Sequence, residues 1–458
     1  MDNSKELEQG NIKDLLIKFS LPAIVGMMVN ALYNVVDTIY IGHMKGTGSI
    51  ALSGIAITFP LSTIIMAFGM LVGVGSSSLI SIRLGQKRKG DAEKILSNAF
   101  VLDIILSSAV GILGYIFVEP TLKLFGAKGD VLNYAKSYIS IILLGAPLQN
   151  VGFGMNNIIR AEGNPNRAMI TMLSGAILNI ILDPIFIFVF NMGVEGAAIA
   201  TVISEALNTV LVVSYFASSK SHLNIKKDYL KPNSAIIKDI FAIGMSPFSM
   251  QIASSAVTTL YNQGLLTYGG DKAVAAMSII NKISMLIFMP IFGINQGSQP
   301  IIGFNYGSKN YDRVKKALGL AIKAADIIAC IGFIMVEFFP SLLVKVFNRE
   351  DTELIAIAVR GMRIDLIFLP IIAFQIISSN YFQAIGKAKI SMLLSVLRQV
   401  IVLIPLILIL PRFFGLDGLW FSAPVSDIIS AVITAIFLIK NIRSLPSTRN
   451  LHSQYPGP

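Results

Sequence analysis

Hydrophobic and polar positions alternate along this chain in long blocks. Apolar runs of twenty residues or more are separated by short polar stretches, and about 20 apolar residues in a helix suffice to cross a bilayer. Twelve such runs can be read, over about 15–42, 50–80, 95–117, 134–158, 168–190, 194–217, 238–266, 273–304, 315–340, 354–382, 390–411 and 416–440. Internal Pro60, Pro147, Pro290 and Pro370 predict kinks within them. The polar start MDNSKELEQGNIKD leads into the first run without a small-residue cleavage site, so that run reads as a span and not as a removable signal.

The pattern repeats. GSSSLISIRLGQKRKGDAEKIL from Gly75 matches GSQPIIGFNYGSKNYDRVKKAL from Gly297, 222 residues later. GVEGAAIATVISEAL from Gly193 matches GLDGLWFSAPVSDII from Gly415 at the same offset, which sets Glu205 on Asp427. Halves of six spans each share one orientation, so these are parallel repeats about an axis along the membrane normal. The expected fold is an all-α integral membrane protein of two six-helix bundles. Its parts are an N-lobe over 1–217, a linker over 218–237, a C-lobe over 238–440 and a polar tail over 441–458. Two lobes with a cleft between them suit alternating access, and therefore transport.

Composition agrees with a membrane protein. Of the 458 residues, 54% are hydrophobic and 14% charged, with a mean hydropathy of +0.71, whereas soluble domains carry roughly a quarter charged residues. The formal charge of +11 needs no nucleic acid to explain it. Lys and Arg number 25 in the termini and the loops on their side, against 10 in the opposite loops. By the positive-inside rule the protein is expected in the plasma (inner) membrane with both termini cytoplasmic. One cysteine, Cys330, excludes an intrachain disulfide, and three histidines leave little for zinc chemistry. A Walker-A pattern, HExxH and GxSxG are all missing, which argues against an ATPase and against an enzyme. The glycine-rich GVGSSS (73–78) lies within a span and suits close helix packing. No cofactor is expected. The 18 Met and 27 Phe could line an adaptable pocket for apolar ligands, but most must be core or lipid-facing.

Two acids stand within apolar runs. LNIILDPIFIF (178–188) holds Asn179 and Asp183, four apart and therefore on one helix face. Asp183 is seven residues from the end of its run, and Thr201 seven from the start of the next, each about 10 Å deep. Asp37, five residues from Gly42, lies about 7 Å deep. An Asp at a helix centre costs about 2.5–3.5 kcal/mol on insertion scales, so this pair is expected to face a polar interior. There Asp37, Asn179, Asp183 and Thr201 would either bind a hard cation such as Na⁺ through oxygen or hold a proton.

These residues carry a resemblance. Asp37 in the first span, LNIILDPIFIF in the fifth, GVEGAAIATVISEAL in the sixth and the 6+6 repeat resemble the multidrug and toxic compound extrusion (MATE) transporters. Within that family the bacterial MepA-like branch is the most similar. The resemblance runs from about Leu15 to Lys440. It implies a V-shaped pair of six-helix bundles that exports organic, often cationic compounds in exchange for Na⁺ or H⁺. It also implies the ion site Asp37, Asn179, Asp183 and Thr201. Some members add a seventh-span glutamate and a tenth-span aspartate in the C-lobe. Here PFSMQIASSAVTTLYN has no acid, with Ser255 near the expected place, and LPIIAFQIISSNYFQAIG has none either.

Other intramembrane polar residues were weighed as substrate contacts or parts of a charge network. Arg398 is expected to meet anionic substrate groups, pair with Asp427, or snorkel to the interface. Lys282 shares that ambiguity, Glu205 and Asp427 occupy equivalent positions, and Gln251 is a candidate cleft residue. Asp103 and Asp326 are expected nearer the interface. The expected partners are small organic molecules and the lipid bilayer, for a protein acting as a monomer. The competing function is a lipid-linked oligosaccharide flippase of the wider superfamily, which would favour a large cationic cavity. A channel would ring its selectivity groups about an axis, which a paired acidic site in one lobe does not do.

Overall fold

The structure is a computed structural model that describes residues 3–44, 47–349 and 351–446; the expected tail beyond 446 lies outside them. All regular secondary structure among the described residues is helical. Nine described helices are long and apolar enough to cross a membrane. Two of these are double. Ser234–Gly307 is broken at Gly270 (φ 66°, ψ −166°), and the stretch Ala388–Ser444 is broken at Gly415 (φ 57°, ψ −135°). The tenth expected span forms two pieces, Thr352–Asp365 and Leu369–Ala384, with Pro370 in the first turn of the second, where its missing N–H costs nothing. With these, each of the twelve apolar runs has its helix.

The third span, Lys89–Ile116, illustrates how such a helix is placed. Ala92, Ile95, Leu96, Ala99 and Leu102 are buried, while Ile105, Ile112, Leu113 and Ile116 are more than half exposed. An open apolar face of that size would be a liability in water. In a bilayer it is the lipid-facing side.

The helices form two compact units. One comprises Val25–Gln251 together with the first six residues, and the other Leu7–Ile24 together with the chain from Ile252 onward. Leu96, Met155, Ile158, Ile159 and Phe216 are among the fully buried residues of the first unit's core. Tyr261, Leu265, Leu419 and Trp420 fill the core of the second. The two units thus exchange helix starts. The beginning of the seventh span packs on the second span within the first unit, where a Cβ on Gly75 would overlap the Ile240 carbonyl. The beginning of the first span packs on the eighth within the second unit, where a Cβ on Gly297 would crowd Ser20. Gly75 and Gly297 are the repeat-related pair of the sequence, and each lets backbone approach backbone.

The repeat also extends to backbone conformation. Lys87 and Lys309 are both left-handed at φ 60°. Gly193 and Gly415 open the sixth and twelfth spans at φ 58° and 57°. Three residues on, Gly196 packs on the Phe186 backbone and Gly418 on the Leu410 carbonyl, with no room for a Cβ at either. The GxxG of GVEG and GLDG is therefore one tight turn followed by one close helix crossing.

The linker is docked onto the first unit. Asn98 donates to the Tyr229 carbonyl at 3.1 Å and accepts from the Asn233 N–H at 2.7 Å. Lys226 pairs with the buried Glu93 at 2.5 Å. Glu162, just past the fourth span Gly129–Ala161, accepts hydrogen bonds from the Tyr215 hydroxyl, the Ser221 hydroxyl at 2.9 Å and the Leu223 N–H at 3.3 Å. Burial pushes the Glu162 carboxyl up to about 7, against the pull of these donors.

Candidate functional site: a buried acceptor cluster in the first unit

The fifth span runs as an α-helix from Pro165 to Pro184 and continues as a π-helical turn, Ile185–Val189. Pro184 explains the change of register. It has no N–H for the carbonyl of Ile180, and its ring crowds that carbonyl. Asp183 is the last residue before this widening and is fully buried.

One turn earlier, Asn179 donates its amide to Asp183 Oδ1 at 3.2 Å and lies 3.5 Å from Thr201 Oγ1 on the sixth span. The Thr201 hydroxyl donates to the Ala197 carbonyl at 3.0 Å, so its lone pairs are left to face the Asn179 amide. Asp37 on the first span stands within electrostatic reach of Asp183. The structure thus brings the four residues together from three helices of one unit.

What remains unsatisfied is informative. Asp37 Oδ1, Asp183 Oδ2 and Asn179 Oδ1 are buried and accept no hydrogen bond from the protein. Buried acceptors normally find donors, and two carboxylates at close range repel each other. An acceptor-only group of this kind is complete only with a positive charge, supplied by a proton on a carboxylate or by a hard cation bound through oxygen.

Two phenols border the cluster, and sequence reasoning missed both. Tyr138 on the fourth span lies against Thr201, in reach of Asp37 and Asp183. Tyr33, one turn before Asp37, is in reach of Asp37 and Glu205. The only signal for Tyr33 was its spacing of four from Asp37 on one helix face.

The other candidates fall elsewhere. Arg398 Nε donates to Asp427 Oδ1 at 2.7 Å, so of the three expected fates the pairing with Asp427 is the one formed. Glu205, at the equivalent repeat position, has Asn208 and Tyr33 as neighbours and no cation. Lys282 is exposed, with its ammonium 5.7 Å from the centre of the Phe347 ring, an arrangement that cation–π attraction favours. Gln251 is half-buried on the seventh span and is not among the residues that bond either group.

Two expectations need correction. Asp103 is not interfacial: it is 1% exposed, both its oxygens lack hydrogen-bond partners, and it fills the space beside Gly154 on the fourth span. Asp326 is half-buried. The tenth span also is not free of acids. Its first piece ends at Asp365, which sits near Asp427, Arg398 and Tyr261.

Comparison with known proteins places this geometry in context. The MatE family model matches residues 22–185 and 244–409, one match in each half. The multidrug export protein MepA of Staphylococcus haemolyticus is 28% identical over 437 residues, 95% of each chain. Among solved structures, a multidrug resistance MATE family transporter of the MOP superfamily, in an outward-facing conformation, superimposes with a TM-score of 0.90 at 28% identity. That match covers 97% of this chain and 98% of the other. A MOP superfamily transporter from Pyrococcus furiosus, described as having a binding pocket of reverse polarity, also gives 0.90 at 28% identity over 96% and 98%.

Proposed function

We propose that this chain, which belongs to the MatE family of multi-span membrane transporters, is a secondary active multidrug exporter. It moves organic, chiefly cationic compounds out of the cell in exchange for Na⁺ or H⁺. The observation that carries the reading is the cluster of unpartnered acceptors on Asp37, Asn179 and Asp183. The full-length likeness to a multidrug export protein supports the substrate class. The excess of Lys and Arg on one side supports cytoplasmic termini.

The mechanism follows from charge. With no ion bound, Asp37 and Asp183 repel each other and their free oxygens are costly to keep buried. A bound cation or proton removes the repulsion and lets the first and fifth spans draw together around Thr201 and Asn179. Pro184 and the π turn after it give the fifth span a place to change register at low cost. A ligand moves a conformational equilibrium only by its differential affinity for the two states. Ion and drug therefore exchange when each binds better to the state the other disfavours.

The test is efflux of a fluorescent cationic dye from proteoliposomes, with a Na⁺ gradient and a pH gradient imposed separately. Expected is efflux that follows one gradient and is lost in Asp183→Asn. Efflux that ignores both gradients would contradict the proposal.

A further inference from the structure

The second unit contains a charge cluster of different composition. The eleventh span carries a π-helical segment, Leu397–Leu403, just before Pro405. Such segments disturb the regular i→i−4 pattern and often mark functional positions. Here the Arg398 carbonyl, displaced from regular bonding, accepts the Ser426 hydroxyl at 2.8 Å. The Arg398 side chain, one quarter exposed, pairs with Asp427, which is 3% exposed. One short stretch of the eleventh span thus grips two consecutive residues of the twelfth.

A third charge stands beside this pair. Asp365, at the end of the first piece of the tenth span, is within electrostatic reach of both Asp427 and Arg398. The seventh span brings Tyr261 to it. That residue is 7% exposed, and its hydroxyl is buried beside the Asp365 carboxylate without completing a hydrogen bond. Arg398, Asp427 and Tyr261 are the charged and titratable groups facing Asp365 from the packed elements. One guanidinium serves two carboxylates, so the cluster is one positive charge short.

We propose that Asp365, with Tyr261, Arg398 and Asp427, forms a second proton-binding site, located in the C-terminal unit and separate from the Asp37–Asp183 cluster. A proton fits better than a metal cation, because the guanidinium already present repels a metal and only one carboxylate is unmatched. With Asp365 ionised, Asp427 and Asp365 compete for Arg398. With Asp365 protonated, its O–H is shared with the Tyr261 oxygen and Arg398 belongs to Asp427 alone. Arg398 lies on the π segment, so its choice of partner is tied to the register of the eleventh span. Proton occupancy therefore selects between two packings of the eleventh span against the twelfth. The site does not depend on the antiport reading, since it requires proton binding and no coupled flux.

The test is infrared difference spectroscopy of the purified full-length protein during a pH titration, following the carbonyl stretch of protonated carboxyl groups. Asp365→Asn should lose one titrating band, and Tyr261→Phe should displace that band by removing its hydrogen-bond partner. Asp183→Asn should leave the Asp365 band in place, which separates this site from the first. The inference is overturned if folded Asp365→Asn retains every titrating band. It is also overturned if Tyr261→Phe displaces none, a result that decides the matter even where Asp365→Asn fails to fold. Loss of the band on adding Na⁺ at constant pH would assign the site to a metal cation and overturn the proton.

Discussion

Asn179 donates to Asp183 Oδ1 at 3.2 Å, one helical turn away, while Oδ1 of Asn179 and Oδ2 of Asp183 stay buried and unpartnered. The bond fixes the two side chains on one face and leaves their free oxygens as acceptors. Substitutions at Asp183 and at Asn179 therefore have distinct expected outcomes. Asp183→Asn removes the negative charge that an ion neutralises, and ion-driven efflux should fall at least about tenfold, the effect of ~1.4 kcal/mol. Asn179→Ala leaves both acids, so transport should persist with weaker ion dependence. Half-saturating ion concentration in a dye-efflux assay distinguishes these results.

The close crossing at Gly418 has a sharper steric demand than most of the fold. A Cβ there would overlap the Leu410 carbonyl, and one at Gly196 would lie 2.8 Å from the Phe186 backbone. Overpacking of this kind costs about 1–3 kcal/mol. Gly418→Ala and Gly196→Ala should both lower the thermal stability of detergent-purified protein. Gly90→Ala, whose Cβ would meet nothing within 4 Å, should not.

Glu162 predicts a pH effect with a definite sign. Its carboxyl is held up at about 7 by burial, above the ordinary glutamate value of 4.5. Between those values the folded protein binds more protons than the unfolded chain, so stability falls as pH rises through this window and then levels off. Thermal unfolding followed from pH 5 to 8 should show that decline. Glu162→Gln should flatten it while keeping an acceptor for Tyr215 and Ser221.

The Arg398–Asp427 pair makes a prediction about single and double changes. Removing one member of a buried pair strands the other charge, at a cost of about 3–5 kcal/mol, whereas replacing both with apolar groups is often neutral. Arg398→Met and Asp427→Leu should each destabilise, with Arg398's partial exposure keeping the loss toward the lower figure. The double variant should recover most of that loss in a thermal-shift measurement.

The sequence made some of this legible and hid the rest for physical reasons. Asp183 was visible because a carboxylate in an apolar run demands an explanation, and the fixed spacing of helices put Asn179 beside it. The equivalence of Glu205 and Asp427 was visible as well. Their different neighbours were not, because Tyr33 and Arg398 come from other spans. Asp365 was overlooked because Arg360 and Arg363, on the same stretch, gave it the look of a polar entry to the membrane. Asp103 was misplaced because depth was counted along one helix, whereas its burial depends on Gly154, 51 residues away. The exchanged starts of the first and seventh spans also escaped notice. A span read as one apolar run gives no sign that its two ends pack on different units, although Gly75 and Gly297, which permit it, stood out as a repeat.

Antiport implies reciprocity, since a ligand that shifts the affinity for an ion is itself shifted by that ion. The most direct measurement is therefore ion movement driven by substrate alone. Proteoliposomes with no ion gradient would be given a gradient of a cationic dye, and internal Na⁺ and pH would be followed with indicators. Expected is movement of one ion opposite to the dye in the wild type, and none in Asp37→Asn or Asp183→Asn. Dye movement without ion movement in the wild type, or ion movement that survives both substitutions, would contradict a coupling site at this cluster.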